Sequence, residues 1–400
     1  MGLISERVSS LAVSATLAMS QKSAELKASG VDVINMSVGE PDFDTPDFIK
    51  EAAKKAIDEN YSRYTAVGGY LSLRQAICEK LRKENGMEYT PDQIVVGNGA
   101  KQELANAILA TINPGDEVII PVPAWVSYVE MVKLAGGVPV TVEAGLEQNF
   151  KINGKQLEAA ITPKSKMIML NSPSNPTGSI YTEPELRGLA EVLERHPEIL
   201  ILSDEIYEHI NFLAPGERIH SLYDFEALRE CLMVVNGVSK AYAMTGWRIG
   251  YIAAPTVLAK AITKLQGQYT SGASSIAQKA AEAAYLGPQD CVREMRDAFE
   301  RRRDLIVMLA SEIPGWKCNV PQGAFYLFPD VSWYIGKKNG DRVIESSADY
   351  VMYLLEEAHV ATVDGGAFCA PGYLRLSYAT SDDNIREAMR RIKEASAKLK

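Results

Sequence analysis

Cysteine and histidine are scarce in this chain, and their scarcity removes several kinds of chemistry together. The five cysteines, Cys78, Cys231, Cys291, Cys318 and Cys369, are odd in number and scattered. With no CxxC pair and no histidine at ligand spacing, neither a disulfide framework nor a zinc centre is expected. The four histidines, His196, His209, His220 and His359, are dispersed and leave little material for a histidine-based mechanism or any metal site. No basic stretch followed by an apolar one opens the chain, and no apolar run reaches membrane-spanning length. Neither a leader nor a membrane partner is therefore expected, and the residue usage reads as that of a reducing cytoplasm. Positive charge is also in deficit: 42 Lys and Arg stand against 51 Asp and Glu, a net charge of −9. Nucleic acid and anionic membrane surfaces are excluded as the main partner, so any anion site must be local.

What is present suits a large α/β protein. At 400 residues with 46% hydrophobic side chains the chain can bury a sizeable core, and its length predicts one large domain with a smaller one. Between about residues 90 and 255, short β-branched runs alternate with longer amphipathic segments, the pattern of a mostly parallel sheet covered by helices. The predicted strands are Ile94–Val96, Glu117–Ile120, Met167–Leu170, Leu200–Leu202, Leu232–Val235 and Ile249–Ala253. Helices are predicted over Lys101–Thr111 and Glu183–Glu194, the second with Thr182 as N-cap and Glu185 three residues on. A charged helical period over 289–312, followed by strand-like Ala324–Phe328 and Tyr373–Tyr378, marks a smaller α+β domain. The expected division is an N-terminal segment over 1–45 packing with the small domain, a large domain over 46–290 and the small domain over 291–400. Arg301–Arg303 has acidic neighbours and reads as a solvated helix face.

The predicted strands run out into polar clusters, where open α/β sheets bind their ligands. After Ile94–Val96 comes Gly97-Asn98-Gly99-Ala100-Lys101, a small-residue turn opening a helix and able to hold a phosphate on free N–H groups. After Met167–Leu170 the double-proline run Asn171-Ser172-Pro173-Ser174-Asn175-Pro176-Thr177-Gly178 holds the Asn175 amide at a strand end. Ser203-Asp204-Glu205-Ile206-Tyr207 places an acid at the next strand end and a phenol three residues later. The run from Asn236 to Gly250 sets Lys240 among glycines, eight residues before Arg248.

Together with Val38-Gly39-Glu40-Pro41-Asp42-Phe43, Pro123-Ala124-Trp125 and Arg375-Leu376-Ser377-Tyr378, these runs resemble, in order and over almost the whole chain, the fold-type I enzymes that use pyridoxal 5′-phosphate (PLP). The resemblance is to class I aminotransferases of the bacterial aspartate aminotransferase subgroup, and Ser239-Lys240 through Gly246-Trp247-Arg248-Ile249-Gly250 is its most specific element. It implies that Lys240 carries PLP as a Schiff base and acts as the base at the substrate Cα, while Asp204 pairs with the pyridine nitrogen. It implies also that Tyr207 and Asn175 hydrogen-bond the ring oxygen and that Trp125 lies against the ring. Arg248, the amides of Gly99, Ala100 and Lys101, and Ser239 would hold the phosphate. Tyr64 would reach that phosphate from a second subunit, with Tyr61 and Tyr70 close by; a homodimer with composite sites follows. Where many relatives have a serine three residues before the lysine, this chain has Gly237. Arg375 would grip the substrate α-carboxylate in a two-bond fork with Gly39 beside it. Lys101, reaching from the partner subunit, and Thr16 would meet a distal carboxylate.

The implied reaction is a ping-pong transfer of an amino group between an L-amino acid, aspartate or glutamate foremost, and a 2-oxo acid. Three alternatives share the scaffold: an aromatic or prephenate aminotransferase, a cysteine-conjugate β-lyase, and a PLP-sensing transcription regulator. Leu11-Ala12-Val13 stands where prephenate-accepting relatives tend to carry a basic residue. A regulator would need an added DNA-binding domain, for which a resemblance beginning within the first forty residues leaves no room.

Overall fold

The apolar runs that end in polar clusters all lie in one seven-stranded sheet. The structure is a computed structural model that describes residues 3–214 and 216–400. In spatial order the strands are Ile94–Gly97, Gly250–Ala253, Leu232–Gly237, Leu200–Asp204, Ser165–Asn171, Glu117–Val122 and Val138–Glu143. Gly250–Ala253 is antiparallel to both its neighbours and the remaining pairings are parallel. Helices cover both faces, which is why the central strands are continuously apolar rather than alternating: Ile119, Ile168, Ile201, Leu232 and Val234 are all fully buried.

Val138–Glu143, which the sequence reading omits, is an edge strand; its residues are half-buried or exposed, and a strand without a buried face has no apolar signature. Glu183–Leu193 begins as predicted, with the Thr182 backbone N–H and hydroxyl both donating to the Glu185 carboxylate (2.8 and 2.9 Å). The strand predicted from Ile249 starts one residue later, since Arg248 adopts φ 57° and the chain turns there.

A second core gathers the helix Asp290–Ser311, the terminal helix Asp382–Ser396 and a three-stranded antiparallel sheet in which Leu374–Ser377 lies between Val363–Asp364 and Tyr326–Leu327. Only two residues of the strand-like run Ala324–Phe328 join that ladder. Arg301–Arg303 is not a uniformly solvated face: Arg302 is buried, stacked on Phe43 and Phe299, with its guanidinium donating to both Asp42 oxygens at 2.7 and 3.0 Å.

The N-terminal segment enters this second core as a strand. Ile34–Asn35 pairs in parallel with Val360–Ala361, and the Met36 carbonyl accepts from the Ser377 N–H at 2.7 Å. These bonds carry Ser37 and Gly39 alongside Arg375. Helix Ala15–Ala28 packs through Met19 and Leu26 onto Val33, Leu355 and Ala361.

Candidate active site

A cavity of about 400 Å³ opens beyond the carboxyl ends of the central strands, and the predicted clusters meet there. Gly39, Ala100, Lys101, Trp125, Asn175, Asp204, Tyr207, Ser239, Lys240, Arg248, Arg375 and Thr16 all line it. Gly99 is buried in the turn behind Ala100, whereas Tyr64 is fully exposed and lies outside the cavity of its own chain.

Lys240 follows the strand Leu232–Gly237, and its ammonium donates to the Gly39 carbonyl at 2.5 Å. Desolvation lowers its pKa to about 8 against the pull of Glu40; the Arg375 and Arg248 charges push it in the same direction. A Cβ on Gly39 would come within 2.6 Å of the Tyr326 hydroxyl, so that approach depends on glycine.

Asp204 ends the next strand. Its carboxyl accepts from the Tyr128 hydroxyl at 2.7 Å and from the Ile206 N–H at 3.2 Å. Burial raises its pKa to about 6, with these donors and the Lys240 charge acting the other way. A buried carboxyl lining a cavity is a ready partner for a cationic ring nitrogen.

At the turn where a phosphate is expected, Gly99 caps the helix Ala100–Thr111 at φ 86°. A Cβ there would lie 2.4 Å from the Arg248 guanidinium, so glycine lets that cation close over the turn. Of the three amides expected to be free, that of Gly99 donates to the Gly97 carbonyl at 2.8 Å, because the turn is tight. The Ala100 and Lys101 amides open the helix, where unpaired N–H groups and the helix dipole favour an anion. Arg248 is held by the Thr245 and Asn98 carbonyls at 2.7 and 3.1 Å. Gly237 has no room for the serine of many relatives, since a Cβ would lie 2.8 Å from the Gly250 Cα; Ser239, two residues on, lines the cavity.

Arg375, expected to meet the substrate, is 2% exposed, with its guanidinium donating to the Asn175 side-chain oxygen at 2.9 Å and to the Ser37 carbonyl at 2.6 Å. It lies 4.5 Å over the Tyr326 ring, and its Nε has no partner. The Tyr207 hydroxyl bonds the Tyr326 hydroxyl at 2.7 Å. Burial first, then the Tyr326 hydroxyl, holds the Tyr207 phenol well above its ordinary pKa.

Lys101 lines the cavity of its own chain, with its ammonium 4.8 Å above the Trp125 ring, so no second subunit is needed to bring it there. Desolvation, then the Arg248 charge, lowers its pKa. Thr16 arrives on helix Ala15–Ala28, whose approach is tethered by the Ala12 N–H donating to Glu130 at 2.9 Å.

The sequence reading misses Tyr128 and Tyr326. Tyr128 had a signal, since it sits three residues after Trp125 on the helix that follows; Tyr326 comes from the other core and has none. Glu84, Glu208 and His209 come close enough together to hold a metal, but the buried Lys80 ammonium pairs with Glu208 and lies 3.6 Å from Glu84, so a lysine already supplies the cation.

The profile of the family described as aminotransferase class I and II matches residues 31–392. The chain is 51% identical to an aspartate/prephenate aminotransferase of Cereibacter sphaeroides over the full length of both proteins. It is 49% identical to an aspartate aminotransferase of Geobacillus stearothermophilus, covering 97% of this chain and 98% of that one. Among solved structures, an aspartate aminotransferase from Rhizobium meliloti is similar over the whole of both chains, with a TM-score of 0.96 and 44% identity. An aspartate aminotransferase from Thermus thermophilus with maleate is similar over 99% of this chain and all of that one, with a TM-score of 0.91 and 41% identity.

Proposed function

Because the chain belongs to the class I and II aminotransferases and has the fold-type I architecture of its structural relatives, we propose that it binds PLP at Lys240 and transfers amino groups between aspartate or glutamate and their 2-oxo acids. The observation that carries this reading is the convergence of Lys240, Asp204 and Arg375 on one cavity. The donor set fits the cofactor: a buried carboxyl for the ring nitrogen, the Trp125 ring for its face, and Arg248 with the Ala100 and Lys101 amides for its phosphate. When bound, PLP supplies the electron sink that makes the substrate Cα–H acidic.

Arg375 binds the α-carboxylate through its planar fork, and Asn175, already bonded to that guanidinium, holds the fork in place. Lys240, with a pKa near 8 and hence partly neutral at working pH, removes and returns the Cα proton. Tyr207 remains a protonated donor because its phenol is held far above neutral pH. Production of 2-oxo acid from aspartate beyond one equivalent per site is expected only while an acceptor such as 2-oxoglutarate is supplied. Continued release without acceptor, with elimination from a cysteine conjugate, would support the β-lyase instead.

Lys101 and Thr16 are the residues we assign to the distal carboxylate, and the relative solved with maleate, a dicarboxylate, supports the assignment. A charge-assisted contact contributes about 1.5–3 kcal/mol, roughly ten- to a hundredfold in rate. Lys101→Ala is therefore expected to lower kcat/KM for aspartate and glutamate by about that factor while sparing phenylalanine. An equal fall for all three would move Lys101 to the phosphate or the fold. The names of several relatives favour prephenate as a second acceptor, although Leu11-Ala12-Val13 brings no cation to the segment tethered on Glu130.

Tyr64 belongs to an isologous dimer in this reading, reaching the phosphate of the other subunit. Its full exposure, with Ile57 and Leu71 also exposed nearby in sequence, supports a covering partner. Sedimentation under assay conditions is expected to give a dimer, and full activity in a monomer would remove Tyr64 from the site.

A further inference from the structure

Tyr128 has no part in the chemistry above, yet it makes the shorter of the two hydrogen bonds to the Asp204 carboxyl, 2.7 Å against 3.2 Å from the Ile206 N–H. It stands in the first turn of helix Ser127–Leu134, only 2% exposed, with its ring edge-on to Trp125 at 5.5 Å and 87°. One short helix thus holds both the aromatic face and the orientation of the acid. The Asn171 amide donates to the Asp204 carbonyl at 2.9 Å, so backbone and side chain of this aspartate are both pinned. Desolvation and then the Asp204 charge raise the Tyr128 pKa, so the phenol keeps its proton and acts towards Asp204 only as a donor. The other titratable groups felt at this pair are Lys240, which favours the carboxylate, and Tyr207, which is neutral.

A donor aimed at a carboxylate stabilises the anion and makes it a weaker base. Where such a carboxylate faces a protonated ring nitrogen, the relative basicity of the two atoms decides which of them keeps the proton between them. We propose that Tyr128 is a positioning residue that acts through Asp204, making the carboxylate too weak a base to take the shared proton from the ring nitrogen of bound PLP. The inference rests on the assignment of Asp204 to that nitrogen. No bond to Tyr128 forms or breaks: the phenol keeps its own proton, and the proton at issue moves only between the nitrogen and one Asp204 oxygen.

The test removes one oxygen atom. In cofactor-free protein with ¹³C-labelled aspartate carboxyls, Asp204 should titrate at about 6, and Tyr128→Phe should raise that value by about one to two units, the loss of one charge-assisted hydrogen bond. In protein reconstituted with ring-¹⁵N PLP, the same variant should move the nitrogen resonance from the protonated towards the neutral position. Incorporating 3,5-difluorotyrosine at position 128 strengthens the donor and should lower the Asp204 value, with the nitrogen still protonated. Opposite signs in the two variants cannot come from a general loss of folding or packing. An Asp204 titration unmoved by either variant overturns the role of Tyr128 and leaves the aminotransferase reading intact. A titration that moves as expected beside an indifferent ring nitrogen overturns the pairing of Asp204 with that nitrogen, and the inference with it.

Discussion

With Lys240 replaced by alanine, transamination is expected to fall by about 10²–10⁴-fold from the lost proton transfer alone, and further because the covalent anchor of the cofactor goes with it. The size of the effect follows from what else lines the cavity. Asp204 is held by two donors, the Tyr207 phenol is engaged with Tyr326, and the guanidinium groups of Arg375 and Arg248 are donors with no lone pair to offer. Lys101 lies across the Trp125 ring with its charge directed to the substrate side chain in our reading. Among the described residues, Lys240 is thus the amine that stands between the carboxyl of Asp204 and the carboxylate fork of Arg375, with a pKa lowered to about 8. Borohydride reduction of the PLP-loaded parent should give a modified peptide containing Lys240, and the variant should give none. Reduction that labels another lysine in the parent, or a variant retaining more than about a tenth of the activity, would falsify the assignment.

Arg375→Lys keeps the charge and is nevertheless expected to lower kcat/KM for every amino acid by about 10²–10⁴-fold. The guanidinium has hydrogen bonds to Asn175 and Ser37, a ring beneath it and an Nε still without a partner; an ammonium presents no planar fork to a carboxylate. Two charge-assisted contacts at about 1.5–3 kcal/mol each account for the range. The loss should be uniform across aspartate, glutamate and phenylalanine, since all carry the same α-carboxylate. That uniformity separates Arg375 from Lys101, and a loss confined to dicarboxylates would reverse the two assignments.

Much of this was readable from the chain because the reactive residues stand at strand ends, where turn chemistry and apolar periodicity change together. Asp204 and Lys240 each follow a buried apolar run, and their cavity-side position is a consequence of sheet topology. Tyr326 was not readable, since it reaches the cavity from a two-residue strand of the second core, and nothing local relates it to Tyr207 or Gly39. Arg302 was misread for a related reason: its acidic neighbours suggested solvent, but its partner, Asp42, is 260 residues away in sequence. The edge strand Val138–Glu143 was invisible because a strand half open to solvent lacks the run that betrays its neighbours. That the Gly99 amide bonds the Gly97 carbonyl was not readable either, because no residue pattern declares how tight the turn is.

The proposed carboxylate grip unites Ser37, Asn175 and Arg375, and the strand bearing Arg375 is locked to the N-terminal segment through Met36 and Ser377. During synthesis, then, no nascent chain can bring these three residues together until Arg375, 200 residues after Asn175, has left the ribosome. In our reading the early-made sheet waits with a finished turn for the phosphate and an unfinished site for the substrate. Ligand that needs all three residues stabilises only a polypeptide that extends through Arg375, so products truncated before it gain no protection from it against proteolysis.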